Sequence, residues 1–400
     1  MPDLISAKPT CDKITEKILI NKATASIGAL CLVMFLRMGG VFIVLPLISV
    51  YAGGLVGGGD AFVAGMALGA YGITQAFMQI PAGLLADRWG RKPVMATALL
   101  LFAIGGFSAA AAQTVEALIL ARLLQGVGAV ASVASAWLAD VSPAEHRTRA
   151  MAVFGSAIAL AFMISIFTAI PLAGAVGIKG VFVLTGCVGL LAFAITLLTP
   201  SPAHSGATVV SFLILRKIIG GDLTVFALGA FALHYALATI FLYLPTALNL
   251  ALEQHWRVYA PSFLASLLIA VPLIYFADRR PATIMLIACA LIPPGLFIIF
   301  TFGHWSQWAT VGLFLFFSGF IVLEAAIPAR VSHAALANRR GLSLGVVMTC
   351  QFAGIFAGGA FSGLLIDMFG GPTAAAVAGL LFLGWFAVLL RIGKHISAAN

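Results

Sequence analysis

Twelve apolar segments, each of about 20 residues or more, occupy most of this sequence of 400 residues. Apolar residues make up 62% of the chain and charged residues 9%, whereas roughly a quarter of an ordinary soluble domain is charged. A transmembrane β-barrel would instead alternate apolar and polar residues over strands of about 10 residues, and a disordered chain would have low hydrophobicity. The sequence therefore predicts an all-α membrane protein, because helices satisfy their own backbone hydrogen bonds inside the bilayer.

The apolar segments form two sets of six, which predicts two six-helix bundles. A stretch containing Pro200, Pro202 and Gly206 separates the sets and reads as a linker. We therefore predict an N-terminal bundle over 1–199, a cytoplasmic linker over 200–221 and a C-terminal bundle over 222–400. The predicted spans lie near 27–50, 61–85, 94–113, 115–139, 149–171, 177–199, 222–247, 257–277, 282–302, 307–329, 341–367 and 373–391.

The distribution of basic residues predicts the orientation of these spans. Loops on the cytoplasmic side of a membrane are enriched in Lys and Arg. With both termini inside, 18 of the 22 basic residues fall in cytoplasmic segments, while Lys179 and Arg257 fall outside. This partition also accounts for the formal charge of +9 without nucleic acid as a partner. We expect a multi-pass protein of a bacterial-type inner membrane, with both termini cytoplasmic.

The two sets of spans carry a weak internal repeat. Ala86-Asp87-Arg88 follows span 2 and Ala277-Asp278-Arg279 follows span 8, at an offset of 191 residues. Parallel six-helix repeats with a binding site between them are an architecture of secondary transporters.

One loop and one span carry the motifs of a known family. Residues 83–92 read GLLADRWGRK and resemble motif A of the major facilitator superfamily, G-x-x-x-D-R-x-G-R-K/R. Arg122-x-x-Gln125-Gly126 in span 4 resembles its motif B. The resemblance implies twelve transmembrane helices and transport by alternating access.

Further stretches resemble the YajR-type branch of that superfamily. They are 36–46 in span 1, 233–245 in span 7, 255–259 before span 8 and 323–328 in span 10. The sequence ends at Asn400, soon after span 12, so we expect it to lack the soluble C-terminal domain of that branch. The antiporter motif of span 5 is kept only in part, at Pro171 and Gly174, which leaves antiport and symport both open.

Motif A predicts a conformational latch between the two halves. Asp87 is predicted at a cytoplasmic helix end, and the N-terminus of span 11, near Gly341, is predicted on the same side in the other half. A helix N-terminus carries about half a positive charge, so it would attract a carboxylate such as Asp87. Asp140, at the inner end of span 4, is placed to pair with Arg91. The alternative is that these charges only enforce topology. The residues predicted to form the latch are Gly83, Asp87, Arg88, Gly90, Arg91, Asp140 and Gly341.

Titratable groups inside the spans point to proton coupling. A charged residue at mid-helix costs roughly 2.5–3.5 kcal/mol to insert, so such residues mark functional sites. Glu324 is the carboxylate well inside a span and is the predicted proton carrier, with His234 as relay and Arg37 tuning its charge. The alternatives are that Glu324 pairs structurally with an arginine and that His234 only bonds neighbouring helices.

The function that follows is secondary active transport, in which protons drive efflux of a small organic solute or drug. Import of an anionic metabolite, suggested by Arg37 and Arg122, and a non-transporting receptor are the alternatives. No enzyme or nucleotide-binding motif occurs in the sequence, so we expect no catalysis, cofactor or metal, with the proton gradient as energy source. The expected partners are the solute, protons and the bilayer, and the expected state is a monomer. The predicted substrate-binding residues are Arg37, Arg122, Tyr71, Gln75, Tyr235 and Gln351.

Overall fold

A computed structural model describes residues 8–128, 130–143, 146–201, 221–277, 279–334 and 340–398. Over this part of the chain the structure is helical, with the predicted linker lying almost entirely outside the described residues. The helices are α1 Lys8–Phe42, α2 Ile48–Gly53, α3 Ala61–Trp89, α4 Arg91–Ala111, α5 Val115–Val127, α6 Ala131–Val141, α7 Arg147–Leu198, α8 Gly221–Ala247, a short 3-10 helix Leu252–Gln254, α9 Trp256–Ala277, α10 Pro281–Phe302, α11 Ser306–Ala334, α12 Arg340–Phe369 and α13 Gly371–Ala398.

The described helices contain eleven segments long and apolar enough to cross a membrane. One of them, Arg149–Leu198, has 50 residues and would be about 75 Å long if straight, more than twice the hydrocarbon thickness. Gly177, with φ of +72°, breaks the helical backbone within it. This segment therefore supplies two spans, and the predicted count of twelve transmembrane helices is confirmed.

Two predicted spans are interrupted. Span 1 ends as a helix at Phe42, and residues 43–47 form turns before α2. Pro46 accounts for this end, since it lacks an N–H and disfavours a helical residue before it. Span 4 is divided at Gly128 into α5 and α6. Such a break is tolerated at membrane depth only where protein groups satisfy the freed backbone.

The two halves meet along α3 and α12, which cross at close range because glycines line both helices. A methyl group on Gly65 would overlap the carbonyl of Gly359, and one on Gly363 would overlap the carbonyl of Ala61. A methyl group on Gly72 would likewise overlap the backbone of Phe352. These contacts, here called the glycine seam, hold the halves together from the start of α3 to its middle. Small residues permit this approach, as the spacing of Gly65 and Gly69 suggests.

Candidate functional site

The bundle has two ends, which we call the motif A end, at residues 87–92, and the opposite end, at the start of α3. At the motif A end, one residue joins α3 to α4. Gly90 has φ of +97°, a conformation that favours glycine, and it forms the tight turn between the two helices. Arg91 is 2.5 Å from the carboxylate of Asp87 and donates from Nε to Asp140 Oδ2 over 3.0 Å. The pairing of Asp140 with Arg91 follows the prediction.

The latch between halves stays a prediction. Arg91, the described partner of Asp87, belongs to the same half. Gly341 lies in the first turn of α12, but residues 335–339 just before that helix are outside the described residues. Within the described residues, Gly83 has no heavy atom within 4 Å of the position a Cβ would take, so motif A is not packed tightly at this glycine.

At the opposite end, a carboxylate does bind a helix N-terminus across the halves. Asp367, near the end of α12, accepts hydrogen bonds from the backbone N–H of Ala61 (2.9 Å) and Phe62 (2.8 Å). These are the first two amides of α3, which have no partner within their own helix. Asp60 precedes them but makes no capping hydrogen bond through its side chain. No local pattern in the sequence reveals this contact, because the partners are more than 300 residues apart.

Three predicted residues meet in the second half, on α8, α11 and α12. The amide nitrogen of Gln351 lies 2.7 Å from His234 Nε2 and 3.1 Å from Glu324 Oε1. His234 Nε2 is 3.7 Å from Glu324 Oε2, too far for a direct hydrogen bond. The side chain of His234 also lies 3.1 Å from the Ala230 carbonyl oxygen through Nδ1. We call this group of Glu324, Gln351 and His234 the proton cluster.

One tautomer of His234 satisfies the hydrogen bonds of the proton cluster. A carbonyl only accepts, so Nδ1 of His234 carries the proton that it donates to Ala230, and Nε2 accepts from Gln351. The second N–H of the Gln351 amide donates to Glu324. His234 is 4% exposed, whereas the Glu324 side chain is 41% exposed. Glu324 is therefore partly exposed in this state, while the imidazole behind it is buried.

In the first half, Arg37 lies on α1 and is fully buried. It donates from Nη2 to Gln75 Oε1 over 2.6 Å and to the carbonyl oxygen of Gly128 over 3.1 Å. The break between α5 and α6 exposes this carbonyl to the guanidinium. Arg37 makes no described contact with Glu324, so its predicted tuning of the proton carrier would have to act at longer range.

Arg122 and Arg37 both lie close to the ring of Tyr71. Nη1 of Arg122 donates to Gln125 Oε1 over 2.7 Å. The guanidinium carbons of Arg122 and Arg37 lie 5.0 and 5.6 Å from the centre of the Tyr71 ring, within the range of cation–π attraction. We call the group of Arg37, Tyr71, Gln75, Arg122, Gln125 and Gly128 the arginine cluster.

Four of the six predicted substrate-binding residues thus come together, and two lie elsewhere. Gln351 belongs to the proton cluster. Tyr235 accepts from the Ser362 hydroxyl over 3.0 Å and joins α8 to α12. Sequence reasoning missed Gln125 and the Gly128 carbonyl as parts of the site. Motif B contains Gln125, and the Gly126-x-Gly128 spacing was the available signal for a break in span 4.

The family model of the Major Facilitator Superfamily matches residues 30–359. The inner membrane transport protein YajR of Escherichia coli (strain K12) is 32% identical over 385 residues, covering 92% of this chain and 82% of that protein. The quinolone resistance protein NorA of Staphylococcus aureus (strain MRSA252) is 25% identical over 363 residues, covering 84% and 88%. The crystal structure of a D-xylose-proton symporter superposes with a TM-score of 0.74 at 14% identity, over 92% of this chain and 97% of that one. This chain therefore belongs to the Major Facilitator Superfamily and is a multi-pass membrane transporter.

Proposed function

We propose that this transporter exports a small organic solute in exchange for protons, by alternating access of a central site to the two sides of the membrane. The proton cluster carries the proposal. It joins a partly exposed carboxylate to a buried imidazole through one amide. Each chain contains both halves, so the proposed working unit is a monomer, and the proton gradient is its energy source.

The separation of the two titratable groups suits a coupling step. Proton transfer requires donor and acceptor atoms within about 3.2 Å, directly or through one water. His234 Nε2 and Glu324 Oε2 are 3.7 Å apart, with the Gln351 amide bonded to both side chains. A shift of α8 against α11 by less than 1 Å would bring them into contact. Proton transfer between Glu324 and His234 would thereby depend on the position of the helices, which is what coupling requires.

The contacts between the halves support alternation. The glycine seam and the Asp367 contact hold α3 and α12 together at the opposite end. At the motif A end, the described contacts of Asp87 and Arg91 stay within the first half. In the proposed cycle, the contacts between α3 and α12 break at the opposite end. At the same time, Asp87 forms its latch contact with α12 at the motif A end. With the predicted orientation, the described state faces the cytoplasm.

Efflux is favoured over import by the similarity to a quinolone resistance protein along most of both chains. Proton-coupled import of an anionic metabolite is the second candidate; the two buried arginines favour an anionic solute in either direction of transport. The two candidates differ in the sign of coupling. An antiporter accumulates its solute on the acidic side of the membrane, whereas a symporter moves it toward the alkaline side.

Flux across proteoliposomes under an imposed pH gradient tests the proposal. The probes are norfloxacin, a fluorescent quinolone, and benzenesulfonate, an anion that crosses lipid poorly. Glu324→Gln keeps the shape of the side chain and an acceptor for Gln351 but has no titratable proton. We expect it to abolish gradient-driven accumulation of the transported probe while exchange of that probe across the membrane continues.

Glu253→Gln is the matched control, since Glu253 is exposed at the opposite end in the short 3-10 helix. It should transport like the wild type. Accumulation by Glu324→Gln equal to that of the wild type would refute the role of Glu324. If the flux of both probes is the same with and without the pH gradient, proton coupling is refuted.

A further inference from the structure

We infer that the arginine cluster binds the anionic group of the transported solute, and that this solute is an organic anion of the carboxylate class. The inference rests on the proposed function, for which it names the substrate class. The cluster combines buried positive charge, an excess of hydrogen-bond donors and a position at the boundary between the halves.

The arginine cluster contains two buried positive charges. Arg37 and Arg122 are 0% and 1% exposed. Within the described residues, no Asp or Glu lies within ion-pair distance of either guanidinium. Their protein acceptors are the neutral oxygens of Gln75, Gln125 and Gly128, together with the Met38 sulfur. Buried charges in proteins are normally paired, so two adjacent cations without a carboxylate call for an anion from outside the chain.

The buried hydrogen-bond donors of the arginine cluster also call for an external acceptor. Both glutamines direct their oxygens to an arginine, so their amide nitrogens point elsewhere. The reverse orientation would set N–H groups against guanidinium N–H groups. Five buried atoms of the cluster that can donate are left without a protein partner among the described residues: Nε of Arg37, Nε of Arg122, Nε2 of Gln75, Nε2 of Gln125 and the Tyr71 hydroxyl. Water can accept such bonds but cannot neutralise the two charges.

The surroundings select an organic anion. The centre of the Phe102 ring lies 5.8 Å from the Arg37 guanidinium carbon, and the Tyr71 ring is near both guanidinium groups. Planar guanidinium groups bind carboxylates through paired hydrogen bonds, while the rings offer an apolar surface to the rest of the solute. An inorganic ion would use the donors but leave these rings without a function.

Tyr71 places the cluster where alternating access would reach it. Its ring lies 6.0 Å from that of Phe352, on α12 of the other half. In the described state this contact helps to cover the cluster, since Tyr71 is 1% exposed. Relative movement of α3 and α12 at Phe352 would uncover the Tyr71 ring and the guanidinium groups beside it.

The test is equilibrium binding to the purified full chain in detergent, with no gradient present. The unfolding temperature is measured with rising sodium benzoate or sodium hexanoate, against equal concentrations of sodium chloride and of uncharged benzamide. We expect at least one carboxylate to stabilise the protein in a saturable way beyond chloride, and benzamide to have no effect. Arg37→Gln and Arg122→Gln should each weaken this binding at least tenfold.

Two further variants complete the design. Arg257→Gln removes an exposed arginine and should bind the carboxylate like the wild type. Arg122→Lys keeps the charge without the paired geometry and should retain part of the stabilisation, which covers failure of a glutamine variant to fold. Without ligand, the glutamine variants should unfold at the same temperature as the wild type or higher, because a buried uncompensated charge is gone.

Several outcomes would overturn the inference. They are an equal effect of chloride, an equal effect of benzamide, no effect of either carboxylate, or full stabilisation in both glutamine variants. Because binding is measured without a gradient, these results are independent of the flux experiment. If Glu324→Gln loses coupling but still binds the carboxylate, proton coupling and anion binding belong to different clusters, as proposed.

Discussion

Replacing Asp367 by Asn should shift the transporter toward the state that is open at the opposite end. In the described state, the two carboxylate oxygens accept from the first two amides of α3, at 2.9 and 2.8 Å. Asn keeps the size of the side chain and one accepting oxygen. It loses the negative charge beside the positive end of the helix, and its NH2 group faces the second amide.

The magnitude follows from these two losses. A charge at an exposed helix end contributes about 0.3–1 kcal/mol, and one net hydrogen bond contributes about 1 kcal/mol. The two contributions together amount to about 1–2 kcal/mol for the solvent-exposed Asp367. The ratio of closed to open forms at this end should fall by roughly five- to thirtyfold.

Distances between spin labels at Val56 and Trp305, measured by double electron–electron resonance, would report the change. Both residues are exposed at the opposite end, one in each half. The labels are placed in a background with the native cysteines replaced. Asp60→Asn is the matched control, because Asp60 is one residue before α3 but caps nothing. An unchanged distance distribution in Asp367→Asn, or an equal shift in Asp60→Asn, would refute the reasoning.

Three further substitutions probe the same framework. Gly90→Ala should destabilise the fold by about 1–3 kcal/mol, because φ of +97° with ψ of +153° suits glycine almost alone; thermal unfolding measures this, and a wild-type midpoint would contradict it. Gly65→Ala should open the glycine seam, since the added methyl group overlaps the Gly359 carbonyl; the same spin-label distances should lengthen, and unchanged distances would count against the seam. Asp87→Asn should keep the protein folded but slow transport by weakening the latch to α12 and the contact with Arg91; wild-type flux would contradict that role.

The sequence determined the helical architecture because the bilayer admits so few alternatives. A chain inside hydrocarbon must satisfy each backbone group, so long apolar segments become helices regardless of their neighbours. The turn at Gly90 was equally local, since one residue joins α3 to α4. Pairing of Asp140 with Arg91 followed from motif A together with the order of the helices.

The composition of each cluster was predicted only in part. The rarity of charge in the spans singled out Arg37, Arg122 and Glu324, since burying such groups is costly. Their partners did not follow from this. Gln351 was predicted to bind substrate together with Tyr71, and its hydrogen bonds to Glu324 and His234 did not follow from the sequence.

Tertiary structure alone decided which helix faces meet. Helical spacing tells which residues of one helix share a face, but not how that helix is rotated against another one a hundred or more residues away. The Asp367 contact, the seam between Gly65 and Gly359, and the approach of Arg37 to the Gly128 carbonyl all depend on that rotation. It is set by the packing of many side chains at once, and no short stretch of sequence contains that information.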